Sequence, residues 1–318
     1  MVICIGGYPM KKDVYLAGDQ SITVSMMLLR MIAEESRWYT VNELSERLDM
    51  NQRTMQRYIA DLLEKIEDYN DPNIQLYTAK NKGVFLEITL GADVLNFELY
   101  LLEENVTIIL MKAIFFEEFT SEKKFAMDYF LSETTIRRSL KYFQELLEPY
   151  GIKLKRETYE VVGPEEQVRM FFYSYFWRLY QGAIWPFDIV NHKMVEEATM
   201  KVTSSLRQNL TYVQQYQIEY VIAINIIRIR KRHLVELKPN WKNYLDLNND
   251  FKSLTKIKAV FESLNIQKES EIYFFYLLME TRPKLYENKE VARRALEPHK
   301  KNNSDVYAAT EAVSYTHL

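Results

Sequence analysis

The stretch Tyr39-Thr-Val-Asn-Glu-Leu-Ser-Glu-Arg-Leu-Asp-Met-Asn-Gln-Arg-Thr-Met-Gln-Arg-Tyr-Ile59 reads as a helix, a tight turn and a second helix whose exposed face is polar and basic. A second stretch, Phe125-Ala-Met-Asp-Tyr-Phe-Leu-Ser-Glu-Thr-Thr-Ile-Arg-Arg-Ser-Leu140, repeats the pattern at one fixed offset. Leu44 aligns with Phe125, Leu48 with Tyr129, Met50 with Leu131, Thr54 with Thr135, Met55 with Ile136, Arg57 with Arg138 and Ile59 with Leu140. Core positions at constant spacing, with a small polar residue at the turn, are what a helix-turn-helix requires. Its second helix is the one that enters the DNA major groove.

Working outward from the first copy, Ser21 is placed to N-cap a helix whose apolar residues Val24, Met27, Leu28, Met31 and Ile32 recur at helical spacing. Thr40 is a good N-cap for Val41 to Leu48, with Glu43 at the fourth position of a capping box. Asn51 caps the helix from Gln52 to about Tyr69, with Met55, Ile59, Leu62, Leu63 and Ile66 facing inward. Two extended pieces follow, Ile74 to Ala79 and Val84 to Leu90, joined by Lys80-Asn81-Lys82-Gly83. Alternation in Ile74 and Leu76, then Phe85 with Ile88 nearby, predicts a short hairpin. A hairpin directly after a recognition helix is a wing.

The second copy repeats this order. Leu101 to Phe116 corresponds to the first helix and Ser121 to Tyr129 to the second, and Ser132 caps a recognition helix from Thr134 to Leu147. Ile152 to Leu154 and Glu160 to Val162 are its wing strands. From Gly163-Pro164-Glu165 onward the pattern changes to long aromatic-rich helices: Glu165 to Tyr180, Val195 to Leu206, Val213 to Arg232, Leu247 to Leu264 and Ser270 to Glu280. The expected class is therefore mainly α. Residues 1–20 are an N-terminal extension, 21–92 and 93–163 two tandem winged helix-turn-helix domains, and 164–283 an all-helical bundle. Residues 284–318 read as a polar tail with a truncated or chimeric end.

Bulk properties narrow the function. Of 318 residues 47% are hydrophobic and 27% charged, ordinary for a globular protein, and with only 8 glycines and 8 prolines long helices fit better than many short strands. A formal charge of −3 gives no whole-chain attraction to nucleic acid, so any DNA-binding surface is local. The single Cys4 excludes an intramolecular disulfide and a cysteine-cluster zinc site. No apolar run approaches the ~20 residues that span a bilayer. A cytoplasmic protein that makes no membrane contact is expected. Metal-ligand clusters, nucleophile motifs and phosphate-cradling glycine loops are lacking, so no cofactor, no metal and no enzymatic activity are expected.

On the first recognition helix Gln52, Arg53, Gln56 and Arg57 point outward with no acid among them; on the second, Thr134, Arg137, Arg138 and Lys141 do so, with Glu133 at the start. Arg and Gln make bidentate contacts to guanine and adenine edges. The candidate DNA contacts are thus Gln52, Arg53, Thr54, Gln56 and Arg57, with Lys80 and Lys82 at the hairpin tip, and Thr134, Thr135, Arg137, Arg138 and Lys141. Any surface helix carries such residues, but two copies, each with turn and wing, favour double-stranded promoter DNA as the partner. The second unit, with Lys123 and Lys124 nearby, is expected to supply more of the salt-dependent affinity. Bare of context, His192 and His233 are ordinary surface or C-cap residues, and the run Arg228, Arg230, Lys231, Arg232 complements a helix dipole. His299 and His317 lie in the tail and carry no role.

Trp38-Tyr39-Thr40-Val41-Asn42-Glu43-Leu44 through Arg53-Thr54-Met55-Gln56-Arg57, the second helix-turn-helix, and Gly163-Pro164-Glu165-Glu166-Gln167-Val168-Arg169 leading into aromatic helices together resemble the Mga family. These are virulence and growth-phase regulators of Gram-positive bacteria. The resemblance covers about Ser21 to Glu280. It implies that the paired N-terminal domains bind promoter DNA, that the helical part is similar to a sugar-phosphotransferase regulation domain, and that the protein is a transcriptional activator. It further implies tuning by histidine phosphorylation from a phosphotransferase-system phosphocarrier, for which His192 and His233 are the candidates, and self-association into a homo-oligomer. Against the family's pattern, the chain ends before a second regulatory domain or a IIB-like part. The helix carrying Asn225 and Arg228 also lacks the histidine expected there. A second class of function remains open, a scaffold that uses winged helices for protein contacts without DNA. A third, RNA-binding antitermination, shares the regulatory domains but calls for an RNA-binding module instead of two winged helices.

Overall fold

The computed structural model describes residues 20–206, 210–239, 241, 251–280, 297, 300 and 301. The expected N-terminal extension up to residue 19, His299, His317, most of the tail and the start of the helix expected at Leu247 lie outside the described residues. The chain divides between Val162 and Gly163 into two compact units.

The first unit opens with α1 (Gln20–Ala33), so Ser21 sits inside the first turn and is not the cap. α2 (Val41–Arg47) starts at Thr40, whose hydroxyl accepts the Glu43 amide at 3.1 Å. The reciprocal half of the expected capping box is absent. The Glu43 carboxylate is taken instead by Arg37 at 2.6 Å and Arg47 at 2.9 Å, and the Arg37 hydrogen bond holds it below the usual carboxylate range. α3 (Gln52–Tyr69) starts at Asn51, whose side chain accepts the Thr54 amide at 2.8 Å. Its buried row is Met55, Tyr58, Ile59, Leu62 and Ile66. Tyr58 joins the expected set, and Leu63 is only half-buried because it flanks the stripe.

β1 (Ile74–Ala79) and β2 (Gly83–Ile88) form an antiparallel hairpin with Ile74 opposite Ile88 and Ala79 opposite Gly83. The inward face of β2 is Val84 and Leu86, one residue out of phase with the expected Phe85, and Ile88, on the same parity at the strand end, is exposed. Tyr39 fixes that phase. Its amide donates to the Val84 carbonyl at 2.8 Å and its carbonyl accepts the Val84 amide at 2.9 Å, a one-residue antiparallel bridge to β2. A one-residue shift inverts a strand's faces. Phe85 therefore faces outward, between Trp38 at 5.6 Å and Tyr77 at 6.2 Å between ring centroids.

The second copy departs from a single first helix. α4 (Val94–Glu103) and α5 (Val106–Phe115) are separate, because Asn105 leaves the helix and its side chain accepts the amides of Thr107 and Ile108 at 2.8 and 3.2 Å. Asn is a far better N-cap than helix-interior residue. α4 packs on α3 through Tyr69, Phe97 and Tyr100, and Arg30 of α1 makes a two-pronged contact with Glu98, both at 2.8 Å. Then come α6 (Glu122–Asp128), capped by Ser121, and α7 (Glu133–Leu147), capped by Ser132. α5 packs on α7, where Thr107 and Ser139 share a buried hydrogen bond of 3.1 Å. A single 3₁₀ turn, Glu148–Tyr150, leads to the two-residue strands β3 (Lys153–Leu154) and β4 (Val161–Val162), shorter than expected.

Among the described residues the second unit has the helices α8 (Glu165–Tyr180), α9 (His192–Leu206), α10 (Tyr212–Arg230), α11 (Phe251–Ser263) and α12 (Glu269–Glu280). α10 starts with a complete capping box between Thr211 and Gln214 and is buried almost continuously from Ile218 to Arg228. It packs on α8 and α9, and α11 on α9 and α12, so a helix buried on every side through this stretch, Glu219, Asn225 and Arg228 included, lies inside the bundle. Phe172, Phe176 and Tyr180 stack four residues apart along α8. Within this apolar bundle Arg169, 2% exposed, donates to Asn225 at 2.6 Å, to Glu271 at 2.5 and 3.1 Å, and to Glu165 at 3.0 Å. Arg228 grips the same Glu165 at 2.9 and 2.7 Å. Arg228 is thus a buried ion-pair partner, not the dipole-complementing surface cation its position at a helix end implied.

Candidate nucleic-acid interface

The two turns have the same construction. In each, the second residue after the short helix takes a left-handed backbone, Asp49 at φ 51° and Phe130 at φ 54°, and two residues later a polar side chain caps the next helix. Each capped helix buries one stripe and leaves the opposite face in solvent. On α3 that face carries Gln52, Arg53, Gln56 and Arg57, all exposed, with Thr54 half-buried. On α7 it carries Thr134, Arg137, Arg138 and Lys141, all exposed, with Thr135 half-buried beneath its bond to Ser132. Lys80 and Lys82 are exposed at the first hairpin's tip, and the Lys82 ammonium lies 5.7 Å from the Trp38 ring centre.

These side chains are not equally available. Gln52 donates to Asn42 at 2.7 Å, tying its amide to α2. Arg57 leans over the Tyr58 ring at 5.0 Å. Arg53 and Arg138 stand in no ion pair among the described residues. Arg137 is exposed and bridges Glu122 at 2.7 Å and Glu133 at 2.9 Å. The Glu122 hydrogen bond raises its pKa further above the usual arginine value, so it stays charged but with its charge shared. Lys141 has only a loose contact of 3.9 Å with Glu145. α7 thus presents fewer uncompensated cations than a count of its arginines implied.

The second hairpin supplies what that count left out. Lys153, Lys155 and Arg156 are exposed along β3 and the turn after it, and Lys123 and Lys124 are exposed on α6. The signal was present in the sequence as Lys153-Leu-Lys-Arg156, a run adjoining a predicted wing.

In the helical unit His192 is the first residue of α9, three residues before the expected helix start. Its Nε2 lies 2.8 Å from a Glu219 oxygen, and its ring stacks on Trp185 at 4.1 Å. The His192 side chain is 34% exposed and that of Glu219 1%. Gln215 donates to the other Glu219 oxygen at 3.1 Å. This is a built carboxylate–imidazole pair and not the ordinary surface histidine its bare sequence context gave. His233 is half-buried beyond α10, and its carbonyl accepts from Arg169 at 2.8 Å. The structure does not bring the two histidines into one cluster. Among the described residues no group of histidine, cysteine and carboxylate side chains is arranged to hold a metal ion. No described helix is long and apolar enough to cross a membrane.

Comparison with known proteins adds an independent line. Residues 90–176 match the Mga helix-turn-helix domain, the region that contains α6, α7 and the second hairpin. The chain is 22% identical over 246 residues to the capsule synthesis positive regulator AcpB of Bacillus anthracis, covering 77% of this chain and 50% of that protein. It is 22% identical over 209 residues to the anthrax toxin expression trans-acting positive regulator of the same organism, 66% of this chain and 43% of that one. The capsule synthesis positive regulator AcpA is 21% identical over 250 residues, 79% of this chain and 50% of its own length. The chain therefore spans about half the length of the curated relatives it matches. The resemblance to the Mga family is borne out, and these relatives are named as regulators, in keeping with a non-enzymatic role.

Proposed function

We propose that this Mga-type chain is a cytoplasmic, promoter-binding activator of transcription. In this reading α3 and α7 lie in successive major grooves, and the two hairpins act as wings against the phosphate backbone. The carrying observation is the twofold occurrence of a side-chain-capped helix with a basic, solvent-facing side, one of them inside the segment that matches the Mga helix-turn-helix domain. Arg53, Gln56, Arg57, Arg138 and Lys141 are the direct contacts; Lys80, Lys82, Lys153, Lys155 and Arg156 are the backbone contacts. The test is selection from a random duplex pool with the purified chain, followed by mobility shifts with Arg53→Ala/Arg57→Ala and Arg137→Ala/Arg138→Ala. The expected outcome is an enriched duplex that both variants bind more weakly and with flatter salt dependence. If no duplex is enriched at low salt and a stoichiometric protein complex forms instead, the protein-scaffold alternative replaces this one.

A second element of the proposal is control through the helical unit, read as a phosphotransferase regulation domain. The pairing of His192 with the buried Glu219 favours His192 over His233 as acceptor. A carboxylate on Nε2 fixes the tautomer with its proton there and leaves the Nδ1 lone pair as the nucleophile. With phosphocarrier protein and a phosphoryl donor, labelling is expected to survive His233→Ala and to vanish in His192→Ala. Equal labelling of both variants removes this element. Self-association into a homo-oligomer belongs to the same proposal and is read by sedimentation with and without phosphorylation.

A further inference from the structure

The two helix-turn-helix copies share a backbone but differ sharply at the corner between their helices. Where the first copy has the exposed acids Glu46 and Asp49, the aligned positions of the second carry Met127 and Phe130, 68% and 97% exposed. Phe130 also occupies the left-handed position of the turn, which Asp, Asn or Gly takes readily and a bulky aromatic does not. Folding explains neither choice, since the first copy closes the same turn with Asp49. Tyr129 beside them is held against Phe125 at 4.4 Å and remains partly exposed, which widens the apolar corner.

The surroundings set the chemistry of an occupant. Lys123 and Lys124 are exposed on the same short helix, against one exposed acid, Asp128. The neighbouring carboxylates of Glu122 and Glu133 are already engaged by Arg137. The corner is therefore an apolar knob with a basic margin, and it lies two residues before the cap of α7. A partner there would meet the protein while α7 sits on DNA. We propose that Met127 and Phe130 are an activation knob that seats in an apolar recess with an acidic rim on RNA polymerase bound to the same promoter. This rests on the DNA-binding activator proposed above. Exposed aromatics ringed by polar side chains are the usual anchors of such contacts.

The test uses the full chain and the double variant Met127→Glu/Phe130→Asp, which installs the first copy's own residues at exposed positions. Asp suits the left-handed turn, so the thermal midpoint should hold or rise, and circular dichroism checks this. The selected duplex is placed upstream of a weak core promoter and transcribed by purified bacterial RNA polymerase holoenzyme. The variant is expected to keep duplex affinity within about twofold, as surface changes do, and to lose stimulation by at least about tenfold, as for an interface anchor. Unchanged stimulation overturns the proposal. A parallel fall in duplex affinity overturns it too, assigning the knob to DNA. Stimulation lost together with a dimer seen in sedimentation assigns it to a second copy and also overturns it. A wild-type chain that selects no duplex sinks the DNA-binding reading itself, and this proposal with it.

Discussion

Arg138 projects from α7 without an ion pair among the described residues, whereas its neighbour Arg137 is held between Glu122 and Glu133. Counterion release counts net charge brought to the phosphates, with a slope of about 0.9 per neutralised phosphate. Arg138→Ala should therefore flatten the logarithmic salt dependence of duplex binding by about 0.9, and Arg137→Ala by clearly less. Glu133→Gln should tighten binding, because it releases part of the Arg137 charge. Titrations at four or more salt concentrations read all three, and equal slopes for the two arginine variants would contradict the assignment. Gly83 poses a different single-residue question. At φ 97° a side chain is strained, and a Cβ there would sit inside the Tyr39 carbonyl oxygen. Gly83→Ala should cost about 2–4 kcal/mol and unpair Tyr39 from Val84, whereas Gly151→Ala, with an open surround, should cost only about 1–2. Chemical denaturation of the two variants compares them directly.

At the scale of elements, α3 and α7 were legible in the sequence almost to the residue, because a cap at one end and a one-sided apolar stripe along the length leave little freedom. The break between α4 and α5 was not. The sequence around Asn105 is apolar on both sides, and periodicity alone does not tell a buried helix from two abutting ones. Asn105→Ala should remove both amide acceptances and destabilise the first unit by about 1–2 kcal/mol, read as a lower thermal midpoint. The phase of β2 was also beyond reach, since Tyr39, distant in sequence from the hairpin, decides which face turns inward. As for the site, outward residues on α3 and α7 followed from periodicity. The hold of Glu122 on Arg137 and of Asn42 on Gln52 did not, because each depends on a side chain presented by a different helix.

The whole chain is two units with different economies. The first buries an ordinary apolar core. The second encloses the network of Arg169, Arg228, Glu165, Glu271 and Asn225 among aromatic helices, and buries Glu219 as well. Removing one partner of a buried ion pair leaves the other uncompensated, at about 3–5 kcal/mol. Arg169→Met should therefore destabilise the helical unit by that order while the first unit's unfolding is unaffected, as resolved by hydrogen exchange of amides in α10 against those in α3. Equal loss of protection in both would show that the network is not confined to the second unit. The same buried knot bears on how the protein is made. Arg169 and Glu271 stand 102 positions apart, so a ribosome that has exposed α8 must add that many more residues before the guanidinium meets its carboxylate. During synthesis the two helix-turn-helix copies can close behind the tunnel one after the other, while the Arg169 guanidinium waits for the carboxylate that α12 brings.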